Sequence, residues 1–212
     1  PTENELTELL GISRPTLRLA LERLTQEGLL MRVKGKGTFV RQPKVLHEST
    51  RFITGYRAEA EKHHCTMRTR VLELKVQTAD AHVAAALGLS EKEKVTRLTR
   101  LRHLEGTSNE APVLYTTVFV PHSLFPDMET LDFTDLSFYD ILAQRNMDVR
   151  RAVRRLEVMM PPSEVSAALG ITPFEPCVFI SSTGYTASGA AIEYAESYYP
   201  ASSSSFLIEV NR

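Results

Sequence analysis

The chain has 212 residues, 42% of them hydrophobic and 24% charged, with a formal net charge of −1. That balance belongs to a globular protein and excludes a mainly disordered one, and no run approaches the ~18 apolar residues of a membrane span. With only Cys65 and Cys177, a disulfide framework and a four-thiolate zinc site are excluded, and no charged-then-apolar leader opens the chain, so a cytoplasmic protein is expected.

The net charge conceals an asymmetry. Between Ser13 and Lys44 stand eight basic residues and two acidic ones, a local charge of +6 that leaves −7 for the rest. A basic module joined to an acidic body is the pattern of a nucleic-acid-binding unit attached to a second domain.

In chain order, Thr2 to Leu10 reads as a short helix. Thr2 is the N-cap with Glu5 three residues on, Leu6, Leu9 and Leu10 share a face, and Gly11 ends it. Ser13 caps a second helix that has Pro15 in its first turn, Leu17, Leu21 and Leu24 as core positions, and Gly28 beyond its end. Leu29 to Arg41 reads as a hairpin around Lys34-Gly35-Lys36-Gly37. The polar, weakly patterned segment 43–65 reads as a linker. The chain begins at Pro1 without Met, so a further N-terminal piece is expected.

Beyond residue 66 strands are predicted at Arg70–Gln77, Val95–Leu104, Val113–Val120, Asp148–Met159, Cys177–Thr186, Ala191–Tyr199 and Ser205–Val210. Helices are predicted at Ala79–Leu87, Ser137–Gln144 and Ser163–Leu169. Strands that follow one another directly, with turn signals such as Ala187-Ser188-Gly189, favour an antiparallel sheet carrying helices, an α+β domain. No Gly-rich phosphate loop occurs, His63 and His64 are adjacent and cannot share a face, the other four histidines are scattered, and neither cysteine has an activating context, so no metal, cofactor or catalytic nucleophile is expected. Cys177, in an apolar strand, reads as a small core residue.

Two short helices, a tight turn and a basic hairpin describe a winged helix-turn-helix. Its second helix must present donors to base edges in the major groove while flanking groups hold phosphates. Ser13, Arg14, Thr16 and Arg18 stand at the start of that helix; Lys34, Gly35, Lys36 and Gly37 form the tip of the wing.

The runs Pro1-Thr-Glu-Asn-Glu-Leu, Gly11-Ile-Ser-Arg-Pro-Thr-Leu-Arg-Leu-Ala-Leu and Lys34-Gly-Lys-Gly-Thr-Phe-Val resemble the DNA-binding domain of GntR-type bacterial transcriptional regulators over about the first 42 residues. The resemblance implies DNA contacts at Ser13, Arg14, Thr16, Arg18, Lys34, Gly35 and Lys36, and a further helix ahead of Pro1. Asn4 stands where family members often have an Arg.

Arg97-Leu-Thr-Arg-Leu-Arg, Ala111-Pro-Val, Ser137-Phe-Tyr-Asp, Ala168-Leu-Gly-Ile and Ile192-Glu-Tyr-Ala-Glu-Ser-Tyr-Tyr are similar to the UTRA effector domain of the HutC-like branch. That similarity implies a chorismate-lyase-like fold, without enzymatic activity, that binds a small metabolite. Arg100 and Arg102 lie two apart on a predicted strand and so share a face with Leu98, opposite Leu101. Two guanidiniums near a helix opening at Ser137 make an anion clamp. By the resemblance, Arg100, Arg102, Ser137 and Tyr139 hold a phosphate region, while Arg151, Glu193 and Tyr199 approach the rest of the ligand. Thr116 stands where many relatives carry a Glu, which leaves a phosphosugar, a phosphonate and a carboxylate open.

These readings converge on a ligand-responsive regulator, expected to be a repressor, that binds double-stranded operator DNA as a homodimer. Residues 1–42 are expected to form the DNA-binding domain and 66–212 the effector domain. The alternatives are an enzyme on the lyase-like fold, with Glu193 as acid or base, and a ligand-binding module without DNA function.

Overall fold

The computed structural model describes residues 1–27, 29–33, 35, 37–40, 44–47, 67–104 and 111–208. Lys34, Lys36 and residues 48–66 lie outside the described residues. The chain divides into two compact units, Pro1–Lys44 and Val45–Arg212.

In the first unit, α1 spans Glu3–Leu10 and α2 spans Arg14–Gln26. The Thr2–Glu5 capping box is formed in both directions, and Gly11 ends α1 in the left-handed conformation at φ 63°. Ser13 caps α2 by accepting from the Thr16 amide, and Pro15 sits in the first turn. Strands β1 (Leu30–Val33) and β2 (Gly37–Val40) pair antiparallel. Gly35 turns between them at φ 77°, a conformation that a side chain would strain. Leu17 is buried, but Leu21 is only part-buried and Leu24 is 36% exposed. The expectation that all three are core therefore holds for Leu17 alone. Two short helices and one hairpin offer too little surface to enclose a full apolar stripe.

In the second unit, β3 (Val45–His47) and β10 (Ser204–Phe206) form a parallel pair. Residues 45–47 are thus a strand within the segment read as linker. Their pairing partner lies at the far end of the chain, so no local pattern announces them. A mixed-length antiparallel sheet follows the order β4-β5-β6-β9-β8-β7. Its strands are β4 (Met67–Thr78), β5 (Lys94–Leu104), β6 (Pro112–Pro121), β7 (Arg151–Met159), β8 (Cys177–Tyr185) and β9 (Ala191–Pro200). Among the described residues three α-helices accompany them: α3 (Ala81–Leu87), α4 (Phe138–Gln144) and α5 (Ser163–Leu169). The predicted strand from Asp148 begins only at Arg151, and that from Ser205 ends at Phe206 among the described residues.

Period-2 alternation divides the sheet into two faces. On one, α3 packs Val83 and Leu87 on Val95, Phe119 and Tyr194, and α5 packs Val165 and Leu169 on Leu101, Tyr115 and Cys177. Cys177 is fully buried, as its apolar strand suggests, and burial pushes its thiol up to about 11. On the other face, Phe125, Met128, Phe133, Phe138 and Leu142 cover Leu98, Val118 and Ala195. Among the described residues three β-bulges interrupt the ladders, one at Leu72 on β4, one where Val113 lacks a partner beside Arg102, and one at Ile192 beside Glu193.

Leu101 is 1% exposed and packs beneath α5. Leu101→Ala should lower unfolding free energy by about 2–5 kcal/mol, measured by chemical denaturation; a loss below that range would mean the α5 layer closes over the gap.

Candidate functional site

The first site is the start of α2. With Ser13 in extended conformation as its cap, the helix presents Arg14, Thr16 and Arg18 on exposed backbone. Arg14 donates through Nη2 to the Asn4 side-chain oxygen, which ties the start of α2 to α1. The Ser13 and Thr16 hydroxyls meet at 2.8 Å, and Arg18 Nε lies 3.0 Å from Glu3 Oε2. That pair is well exposed and contributes little to stability, so the guanidinium can exchange it for a phosphate at small cost. Gly35, at the tip of the wing, has open space around its Cα.

The second site is a cavity of about 620 Å³, counting the space open to solvent, on the face of the sheet that α4 only partly covers. Its floor follows from register. Arg100, Thr116, Ser197 and Ile180 form one row across β5, β6, β9 and β8. Leu98, Val118, Ala195, Ser182 and Arg154 form the next row, which reaches β7. Arg102 and Leu114 are paired one step further along, and Phe138 and Tyr139 of α4 form the roof.

Arg100 is 4% exposed, its guanidinium carbon lies 5.9 Å from the Phe138 ring centre, and its Nε has no hydrogen-bond partner. Burial, with Arg102 adjacent, holds its pKa well below the usual guanidinium range, while Tyr139 and Glu193 oppose the shift. Glu193 is 1% exposed; Tyr139 Oη donates to its Oε1 at 2.8 Å, and its Oε2 has no partner. Burial pushes the Glu193 carboxyl up to about 7, against the Tyr139 hydrogen bond and the Arg154 and Arg100 charges. Gly184 makes room for it, since a Cβ there would stand 2.6 Å from Glu193 Cγ and 2.7 Å from Oε1.

Of the residues expected from sequence, Arg100, Arg102, Tyr139 and Tyr199 line the cavity together. Glu193 reaches it through Tyr139 rather than as a lining residue. Ser137 caps α4, accepting from the Asp140 amide, and is not in the lining; that helix has seven residues, too short to offer the helix terminus assumed for an anion clamp. Arg151 also lies outside the lining: it is exposed, with its guanidinium 4.2 Å from the Tyr185 ring centre. Sequence reasoning missed Arg154, Ser182 and Ser197. Their strands were identified, and period 2 counted from Tyr199 back to Ser197 would have found one of them, but which strands neighbour β5 is not a local property.

Among the described residues no group of His, Cys, Asp or Glu is arranged to hold a metal ion, and no helix is long and apolar enough to cross a membrane.

A helix pair with a basic wing and a sheet domain holding an arginine-lined cavity together define a DNA-binding transcriptional regulator with a small-molecule effector domain. Residues 1–40 match the family model for bacterial regulatory proteins of the gntR family, and residues 62–204 match the UTRA domain. The chain belongs to the GntR family, in its HutC-like branch with a UTRA domain, and this is a family of transcriptional regulators rather than enzymes.

It is 32% identical over 200 residues to the HTH-type transcriptional repressor NagR of Bacillus subtilis, covering 94% of this chain and 80% of NagR. It is also 32% identical over 204 residues to the histidine utilization repressor of Klebsiella aerogenes, covering 94% of this chain and 82% of that protein. Among solved structures, PhnF from Mycobacterium smegmatis superposes with a TM-score of 0.75 at 24% identity, over 100% of this chain and 91% of PhnF.

Because the Glu193 carboxyl titrates near 7 when folded and 4.5 otherwise, the native state retains a proton that the unfolded chain has released. The stability this contributes is full below pH 4.5, falls as pH rises through 7, and is flat above. Across that window the wild type should lose about 3 kcal/mol that Glu193→Gln does not lose. Denaturant titrations at a series of pH values would read this, and parallel pH profiles for the two proteins would refute it.

Proposed function

We propose that residues 1–42 read operator DNA, that residues 66–212 sense a small anionic metabolite, and that the protein works as a cytoplasmic homodimeric repressor whose operator affinity the metabolite sets. The observation that carries the effector reading is Arg100, buried in a cavity with an unpartnered Nε and no carboxylate within 4.0 Å among the described residues. A bound anion supplies the missing partner through charge-assisted hydrogen bonds.

For the DNA reading, Ser13, Arg14, Thr16 and Arg18 supply donors at the end of α2 that enters a major groove, and Lys34, Gly35 and Lys36 the wing that meets phosphates. A two-fold dimer suits paired half-sites. Anion binding alters DNA affinity only through differential affinity for two domain arrangements, and ~1–3 kcal/mol of coupling changes DNA binding about 5- to 150-fold. Coupling can pass through Tyr199, a cavity wall whose ring centre lies 4.7 Å from that of His47 on β3, the strand that directly follows the DNA-binding unit.

Two measurements test this reading. Arg14→Ala should weaken binding to DNA fragments selected by the wild-type protein by about 1–3 kcal/mol in fluorescence anisotropy, with an unchanged melting temperature; undiminished affinity would remove α2 from the reading of bases and favour a ligand-binding module without DNA function. In a thermal-shift screen of phosphosugars, phosphonates and small carboxylates, a ligand at about 100 times its Kd should raise the melting temperature by roughly 5–11 °C. Arg100→Ala should abolish that shift. Silence across every anion class would overturn the effector reading.

A further inference from the structure

Three guanidiniums open on the cavity, and they stand on opposite sides of it. Arg100 and Arg102 rise from β5, whereas Arg154 rises from β7, four strands away in the sheet. At about 4.8 Å between neighbouring strands, those backbones stand roughly 19 Å apart. Both walls lean inward. The Arg100 guanidinium approaches Phe138 of the roof, and Arg154 Nε donates to Ser182 Oγ at 3.4 Å on the neighbouring strand. The two act on the same buried groups from either side, since Arg100 and Arg154 both favour the ionised forms of Glu193 and Tyr139.

The floor between the two walls sets short, mostly hydroxyl-bearing side chains beside Val118 and Ile180. Thr116 and Ser197 share a hydrogen bond of 2.9 Å between their hydroxyls, and Ala195 and Ser182 continue the surface toward β7. Among the described residues no carboxylate lies within 4.0 Å of Arg100 or Arg154. The one buried carboxylate nearby, Glu193, is engaged by Tyr139. A cavity cationic at both ends, with hydroxyls between, is not compensated by an ion bound at one end only.

We propose that Arg154 forms a second anion seat facing the Arg100–Arg102 seat, so that the effector is a small molecule with an anionic group at each end and a polar middle lying over Thr116, Ser197 and Ser182. This rests on the effector reading above and narrows it: a singly anionic compound fills half of the site. Arg154 thereby determines specificity, by setting the length and the terminal charge of the ligand.

The test is calorimetric titration of the full chain with unbranched ω-phosphonocarboxylates of increasing length, each beside its counterpart in which the carboxylate is a primary amide. The two-ended compound of fitting length should bind about tenfold or more tighter than its amide, the size of one charge-assisted contact. Arg154→Met should erase that preference by weakening the acid far more than the amide, and Arg154→Lys should keep most of it. Arg100→Met should weaken both compounds alike. Equal binding of acid and amide, or a preference that survives Arg154→Met, overturns the second seat while leaving the Arg100 seat standing. Failure of every compound to bind the wild type overturns the anion pocket itself, and the second seat with it. Melting temperatures of the variants within a few degrees of wild type exclude misfolding, and a variant that fails this check is replaced by Arg154→Gln.

Discussion

Taking the Arg100 guanidinium out of water costs several kcal/mol, and no carboxylate within ion-pairing range offsets that cost among the described residues. The surroundings make the burial tolerable without neutralising it. Phe138 lies near the guanidinium, and the Tyr139–Glu193 pair attracts it from further away. The effector unit thus carries an unspent electrostatic attraction at its centre. On that face of the sheet Phe138 and Tyr139 of α4 roof the guanidinium, while the cavity stays partly open to solvent.

The cavity exists because of which residues the two faces received. On the face covered by α3 and α5, β6 and β9 present Tyr115, Phe119, Tyr194 and Tyr198, and these fill the layer. On the other face the same strands present Val118 and Ala195, which pack beneath α4, and Thr116 and Ser197, which stand outside that packed cluster and line the cavity. Protein interiors otherwise pack to crystal-like density, so short side chains outside that cluster leave room for a ligand. The roof itself is firm. Phe125 and Met128 are fully buried, and Arg145 is tied bidentately to Asp127 with its guanidinium 4.2 Å from the Phe125 ring centre.

The DNA-binding unit follows a different logic. It is small, has one buried apolar side chain in its helices, and depends on caps at α1 and α2 to fix the ends of short helices. The residue that caps α2 stands beside the side chains proposed to meet DNA. Ser13 holds the Thr16 amide and hydroxyl, so removing its side chain loosens the first turn of α2 that carries Arg14.

Local chemistry decided much of this protein. The cap residues Thr2, Ser13 and Gly11, the period-2 pattern of β5, and the apolar stripe of α5 set the elements to within a few residues, because each depends on neighbours close in the chain. The same alternation placed Arg100 and Arg102 on one face before any fold was known. Tertiary structure decided the rest. The pairing of β3 with β10, the removal of Arg151 from the cavity, the arrival of Arg154 opposite Arg100, and the burial of Glu193 as a hydrogen-bond partner of Tyr139 with a raised pKa all depend on strand order and bulges. Strand order joins residues far apart in sequence, and the energy that selects it comes from burying both faces of the whole sheet, a sum to which no single segment holds the key.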